Sequence, residues 1–278
     1  MGCTPKRPIV GAFGAVIDAL QEDLDFALML ADMADGITAG RFRAQDLRVD
    51  SKPDRSPVTD ADVAVEDAVR ALLARERPGD AIVGEERGGD AAAGRVWMLD
   101  PIDGTKNFLR GNPAWGTLIA LVVEGRPVVG VASSPGLGRR WWGVDGAGAW
   151  AANGDTEPKR LAVSAVRDLG DAYLSTTHLG HWAEYHSLER YLDLAGACWE
   201  TRAFGDFWQH CLVAEGALDV AAEAIVNPWD LAALQVIVEQ AGGRFTDLDG
   251  NPRHDGGSVL SSNGQVHDAA LRVLAGTS

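Results

Sequence analysis

Nine consecutive residues, Asp100-Pro101-Ile102-Asp103-Gly104-Thr105-Lys106-Asn107-Phe108, constrain this chain more than any other stretch. The apolar run Val96-Trp97-Met98-Leu99 leads into them and reads as a buried strand. Pro101 stops the strand, and Gly104-Thr105 opens a helix. Two carboxylates three residues apart on such a strand-to-helix turn can converge on a hard cation. The first N–H groups of the helix face the same space and suit an anion. Metal and phosphate in one turn point to metal-assisted phosphate chemistry.

The rest of the chain narrows that reading. A length of 278 residues gives room for one large domain or two small ones. The net charge of −15 argues against nucleic acid or an anionic membrane as partner. It also sets anion against anion if the substrate is a phosphate, a conflict that divalent cations resolve. Cys3, Cys198 and Cys211 are far apart and odd in number, so neither a disulfide framework nor a zinc pattern is expected, and a reducing cytoplasm is the simplest setting. No apolar run is long enough to span a membrane. Residues 1–22 lack a recognisable cleavage site, carry Gly11 and Gly14 within their apolar part, and are expected to be a disordered extension.

A first helix is predicted over Asp23 to Gly40 and a second from Thr59, where Thr59-x-x-Asp62 fits a capping box. The polar stretch Asp50 to Pro57 between them reads as a loop, and Ala81 to Gly84 as a short strand delivering Glu85 and Glu86. Two hairpins come after the motif, with turns at Glu124-Gly125 and Asp145-Gly146. On the second, Trp141 and Trp142 are expected to alternate between core and surface. The turn-rich segment 153–159 is the best internal boundary, giving subdomains 23–157 and 158–278. Beyond it strands and helices alternate, among them a helix over Trp182 to Ala195 and another over Pro228 to Ala241. The whole indicates a layered α/β protein.

Glu85, Asp100, Asp103 and Asp230 all stand where an element ends, so they could line one cleft. Carboxylates with a backbone carbonyl, here that of Ile102, are the ligands Mg²⁺ prefers. Each also has a plainer explanation. Glu85 and Glu86 could be a solvated pair, Asp230 could complement a helix start, and Asp62 could belong only to its capping box.

Gly84-Glu85-Glu86, the Asp100–Phe108 motif, Trp229-Asp230 and Ala241-Gly242-Gly243, in that order, resemble the inositol monophosphatase family from Asp23 to the C-terminus. The resemblance implies a five-layer α-β-α-β-α sandwich, a Mg²⁺-dependent phosphomonoesterase with two or three ions per site, and a homodimer. It implies that Glu85, Asp100, Asp103, Asp230 and the Ile102 carbonyl hold two ions. Asp62, with Asp60 as runner-up, would serve a third ion and the attacking water. Thr105 would orient that water with Glu85 and Asp62, and the Gly104 and Thr105 N–H groups would bind phosphate. The implied chemistry is direct attack of water with no covalent intermediate: metal ions neutralise phosphate oxygens, acidify water and stabilise the leaving alkoxide.

The metal motifs do not name the alcohol. Glu223, seven residues before Asp230, matches a substrate-contacting acid of the family. Asp206, in Gly205-Asp206-Phe207-Trp208, adds a second acid where inositol phosphatases have small or neutral residues. Inositol carries no cation for two acids to hold, whereas histidinol phosphate carries an amine and an imidazole. Together with Arg139-Arg140-Trp141-Trp142, this run resembles histidinol-phosphate phosphatases of the actinobacterial type, which serve histidine biosynthesis. An inositol or sugar phosphatase is the alternative. Asp206 could also be only a helix N-terminal charge, and Trp208 and His210 are expected in the core or an interface.

Overall fold

The structure, a computed structural model, describes residues 10–52, 56–92 and 94–276. The chain opens on helix α1 (Val10–Arg41), then strands β1 (Val49–Ser51) and β2 (Pro57–Thr59), helix α2 (Asp60–Glu76), β3 (Ala81–Gly84), β4 (Arg95–Asp103) and the short helix α3 (Thr105–Arg110). A meander comes next: β5 (Gly116–Val123), β6 (Arg126–Ser134), β7 (Arg139–Val144), β8 (Gly148–Asn153) and β9 (Lys159–Arg160). The second half runs β10 (Tyr173–Ser175), α4 (Leu179–Tyr185), α5 (Leu188–Ala197), β11 (Glu200–Arg202), α6 (Asp206–Ala214), β12 (Val220–Glu223), α7 (Pro228–Gln240), β13 (Arg244–Thr246), β14 (Val259–Ser262) and α8 (His267–Ala275).

Two sheets organise these elements. The larger has seven strands in sequence order, β3 to β9, parallel only between β3 and β4. The smaller has five, ordered β11-β10-β12-β14-β13. Strand alternation sends Trp97 and Leu99 of β4 to one face, where α1 and α2 cover them with Leu24, Ala27, Leu30, Val65 and Val69. Val96 and Met98 point to the opposite face and meet α6 and α7 through Phe207, Leu231, Leu234 and Ile237. Those two helices also touch the inner face of the small sheet, through Ala221, Phe245 and Val259. On its outer face α4, α5 and α8 pack Trp182, Tyr191, Leu194 and Leu274 over Leu174, Val220 and Leu260. The result is the expected α-β-α-β-α sandwich.

Several local expectations change. Helix α1 begins at Val10, so residues 10–22 are helical, and 1–9 lie outside the described residues. Gly11 and Gly14 weaken a helix by about 1 kcal/mol each relative to alanine, and the segment Leu20 to Ile37 packed against the large sheet anchors the rest. The polar loop contains a two-stranded ribbon, β1 against β2, pairing Asp50 with Val58. The helix predicted over Trp182 to Ala195 is two helices, because Ser187 caps α5 by accepting the Arg190 N–H. Trp141 is buried toward α6, while Trp142 packs on the α1 side; neither faces water freely, because this sheet is covered on both faces. The proposed subdomain boundary after residue 157 falls just before β9, which still belongs to the large sheet, and the central core draws on both halves.

Helix α7 is pressed onto the large sheet where Gly130 and Gly143 leave room. A Cβ on Gly130 would lie 2.3 Å from the Ala233 carbonyl oxygen, which backbone cannot vacate without moving the helix. Gly130→Ala should therefore lower stability by about 1–3 kcal/mol, the usual range for overpacking, as a lower midpoint in denaturant melts; an unchanged midpoint would refute the close approach.

Candidate active site

The functional turn is built by the end of β4. Its pairing with β5 shifts register between Asp100 and Asp103, which frees both carboxylates from strict alternation. Asp100 Oδ1 accepts the Ile102 N–H at 3.0 Å, and Thr117 Oγ1 donates to the Pro101 carbonyl at 2.8 Å, fixing the turn from both sides. Gly104 then takes a left-handed conformation (φ 79°) and caps α3. The Thr105 hydroxyl donates to the Ile102 carbonyl at 2.9 Å.

Asp230 arrives from the first turn of α7. Pro228 opens that helix, and Asp230 Oδ2 accepts the Asn227 N–H at 3.0 Å in a capping box. The plainer explanation thus holds for one oxygen, and yet Asp100, Asp103 and Asp230 each place a carboxylate oxygen within 4.8 Å of the others. Glu85 comes directly after β3 and is tied to β4 by its N–H on the Leu99 carbonyl, 3.2 Å away. Its Oε1 accepts from Lys52 Nζ at 2.6 Å, and the same ammonium reaches Glu86 at 2.7 Å.

Asp62 is fully buried in the first turn of α2. The Thr59 N–H and hydroxyl both donate to its Oδ2, while buried Oδ1 meets no partner among the described residues. A buried acceptor left in this way invites a ligand proton or cation. Asp60, the runner-up, is engaged elsewhere by Arg41 at 2.8 Å and Arg48 at 3.4 Å.

Asp100, Asp103, Asp206, Glu223, Asp230 and Glu85 line one cleft of about 450 Å³, within the range of small-molecule sites. Gly104, Thr105 and Ile102 line it too, and Asp62 does not. On the α6 side Asp206 holds a positive φ of 48°, unusual for a residue with a side chain. Its N–H donates to Thr177 Oγ1 and its Oδ2 accepts from Asn107 Nδ2, both at 2.9 Å. The next N–H, of Phe207, donates to Asp103 Oδ2 at 2.6 Å, so the acidic turn and the α6 start are joined. Glu223 ends β12, where Gln209 and His210 both reach its Oε1. His210, expected to be a plain core residue, is fully buried but directed at this acid.

Lys52, Lys106, Thr177, His181 and Tyr185 were not among the expected site residues, yet Lys52 grips Glu85 and the other four line the cleft. The spacing of His181 and Tyr185, four apart on one face of α4, was a usable signal. Lys52 had none, since it sits in a stretch with loop composition.

Crowding dominates the electrostatics. Burial, and then the charges of Glu85, Asp103 and Asp230, push the Asp100 carboxyl well above its ordinary pKa. Asp103 is raised by burial and then by Asp206 and Asp230. Asp230 is pushed to about 7, chiefly by burial, against the Asn227 N–H that lowers it. Burial and the Glu223 charge also raise Asp206 to about 7, while Lys106 opposes. Buried Asp62 rises to about 7 despite its bonds to Thr59. Six carboxylates line the cleft, with Lys106 the only lysine or arginine among the described lining residues. Hard oxygen donors crowded so that they resist ionising together fit a divalent cation, which offsets their charge.

Residues 19–276 match the model of the inositol monophosphatase family. The chain belongs to that family. It is 54% identical to a histidinol-phosphatase of Mycobacterium tuberculosis over 91% of this chain and 98% of the relative. A histidinol-phosphatase of Streptomyces coelicolor is 48% identical over 91% of this chain and 97% of its own length. Among solved structures, an inositol monophosphatase from Zymomonas mobilis superposes with a TM-score of 0.81 at 35% identity, covering 92% of this chain and 99% of that one. No described helix is long and apolar enough to cross a membrane.

The raised carboxyl pKa values fix the direction of a pH effect. These acids ionise near pH 4 in the unfolded chain, and Asp230 does so at about 7 in the folded one. Between those limits the folded state binds more protons than the unfolded, so stability is lost as pH rises. The metal-free protein should melt at a higher temperature near pH 5 than near pH 8, and an added divalent cation should raise the melt at the higher pH. Asp100→Asn should raise the metal-free melting temperature near pH 8, and a drop would contradict this account.

Proposed function

We propose that this chain is a Mg²⁺-dependent phosphomonoesterase that hydrolyses L-histidinol phosphate to L-histidinol and phosphate. The observation that carries the substrate half is the pair Asp206 and Glu223, close enough that the charge of Glu223 raises the Asp206 carboxyl, in the same cleft as the Asp100–Asp103–Asp230 cluster. A phosphate at the cluster leaves its alcohol near two acids, and histidinol offers them an ammonium and an imidazole. The family, and histidinol-phosphatases at 54% and 48% identity, support this reading.

In this reading Glu85, Asp100, Asp103, Asp230 and the Ile102 carbonyl hold the ions, with Asp62 serving a third. Bound Mg²⁺ supplies charge neutralisation at the phosphate and a more acidic water. The Thr105 hydroxyl, which donates to the Ile102 carbonyl, orients the attacking water by accepting its hydrogen bond, with Glu85 and Asp62 as the acids that assist. The N–H groups of Gly104 and Thr105, free of intrahelical partners at a helix start, receive phosphate oxygens. Asp206 and Glu223 hold the cationic alcohol. A cytoplasmic setting accords with the free thiols Cys198 and Cys211. A homodimer completes the proposal and is checked by light scattering in solution.

The test is side-by-side kinetics with Mg²⁺. kcat/KM should be higher for L-histidinol phosphate than for inositol 1-phosphate; the reverse order would replace this reading with an inositol phosphatase. Asp100→Asn should abolish turnover of both while the protein remains folded, and retained turnover at saturating Mg²⁺ would refute the ligand set. Asp206→Asn is the cleaner specificity variant, because asparagine tolerates the positive φ that alanine does not. Losing a charge-assisted bond worth about 1.5–3 kcal/mol should raise KM for L-histidinol phosphate about tenfold or more, with a far smaller effect on a neutral ester.

A further inference from the structure

The cleft's second acid is held in an unusual way. Glu223 Oε1 receives two donors from one turn of α6, Gln209 Nε2 at 2.7 Å and His210 Nε2 at 3.0 Å. Among the described residues no donor reaches Oε2, although Glu223 lines the cleft. Behind it, His210 Nδ1 lies 2.7 Å from Ser261 Oγ on β14, and both residues are fully buried. The partners assign the protons. A carboxylate only accepts, so Nε2 carries the hydrogen. In the neutral ring the Ser261 hydroxyl donates to Nδ1, which holds that one tautomer. The chain Ser261–His210–Glu223 thus spans from the small sheet through α6 to the substrate cleft.

We propose that Ser261, His210 and Gln209 form a one-sided clamp on Glu223, with His210 the positioning residue that aims the free oxygen at the cationic end of the substrate. The proposal rests on the histidinol-phosphate reading above and adds a residue to it. Holding one oxygen with two donors leaves the carboxylate a single orientation and its second oxygen open. An unclamped glutamate would spread over several rotamers and lose part of its grip in ordering entropy. His210 also lines the cleft, but its Nε2 is taken up by Glu223 and its Nδ1 by Ser261, so in this scheme it acts through Glu223.

The experiment compares wild type, His210→Leu, His210→Gln, Ser261→Ala and Glu223→Gln on L-histidinol phosphate and on p-nitrophenyl phosphate, which has no amine. His210→Leu should raise KM for L-histidinol phosphate about tenfold with kcat changed much less, and the rise should be several times larger than for p-nitrophenyl phosphate. His210→Gln, whose amide still donates, should recover most of it, and Ser261→Ala should shift KM the same way by a smaller factor. The double variant His210→Leu/Glu223→Gln should be no worse than Glu223→Gln alone, because one residue acts through the other. Equal rises on both esters, or additive losses in the double variant, would overturn the clamp. If His210→Leu fails to fold, Ser261→Ala decides: wild-type KM on both esters overturns the proposal. A wild type preferring inositol 1-phosphate refutes the substrate reading instead, and the double-variant cycle on that ester then judges the clamp separately.

Discussion

Mutual repulsion among buried carboxylates is the constraint around which the rest of this molecule is arranged. Asp100, Asp103 and Asp230 bring oxygens within 4.8 Å of one another, with Glu85 close enough to raise Asp100 further. Such a cluster destabilises any fold that holds it ionised, so the scaffold beneath must be rigid. β4 lies in the interior of a sheet covered on both faces, and α7 sits between two sheets. The close approach at Gly130 presses α7 onto the large sheet, and with it the acid from the far half of the chain. Strain at the site is offset by packing well away from it.

Charge inside the cleft obeys the same logic. Among the described residues the pocket is lined by six carboxylates and one lysine, so a phosphate ester needs cations to enter with it. That dependence on cations turns the chain's net charge of −15 from an obstacle into a means of gathering them. Lys52 shows how the protein handles one acid alone. Burial opposes its charge, but hydrogen bonds to Glu85 and Glu86 hold its pKa above the ordinary lysine value. An ammonium on Glu85 and protons on its neighbours are two ways of meeting one electrostatic demand.

The parts of this arrangement that are local in sequence were legible there. Strand, proline, glycine and helix start fall within nine residues of Asp100, and the capping box at Thr59 is a four-residue pattern. Asp230 was legible as the acid in the first turn of a helix opened by proline, although nothing local said which side of its carboxyl would face the cluster. The five layers emerged from the alternation of elements only with the family resemblance beside it. Other features had no local signature. Residues 10–22 carry glycines that usually end helices, and only the tertiary packing of Leu20 to Ile37 keeps α1 continuous with them. The segment joining β1 to β2 has loop composition, so Lys52, just after β1, could not be placed against Glu85.

His210 illustrates the hardest case. Its neighbours in sequence are apolar or amide residues on a buried helix, which is the setting of an ordinary core histidine. What separates it from one is the identity of two partners, Ser261 and Glu223, on different strands of the small sheet. Those strands are adjacent and antiparallel, with Ala221 opposite Ser261, so serine and glutamate come to flank the same helix. The sheet register, set by hydrophobic packing remote from any substrate, decides which polar groups meet over α6. Two of the three clustered acids, Asp100 and Asp103, are therefore written in one short motif, whereas the meeting of Ser261, His210 and Glu223 is written in strand pairing.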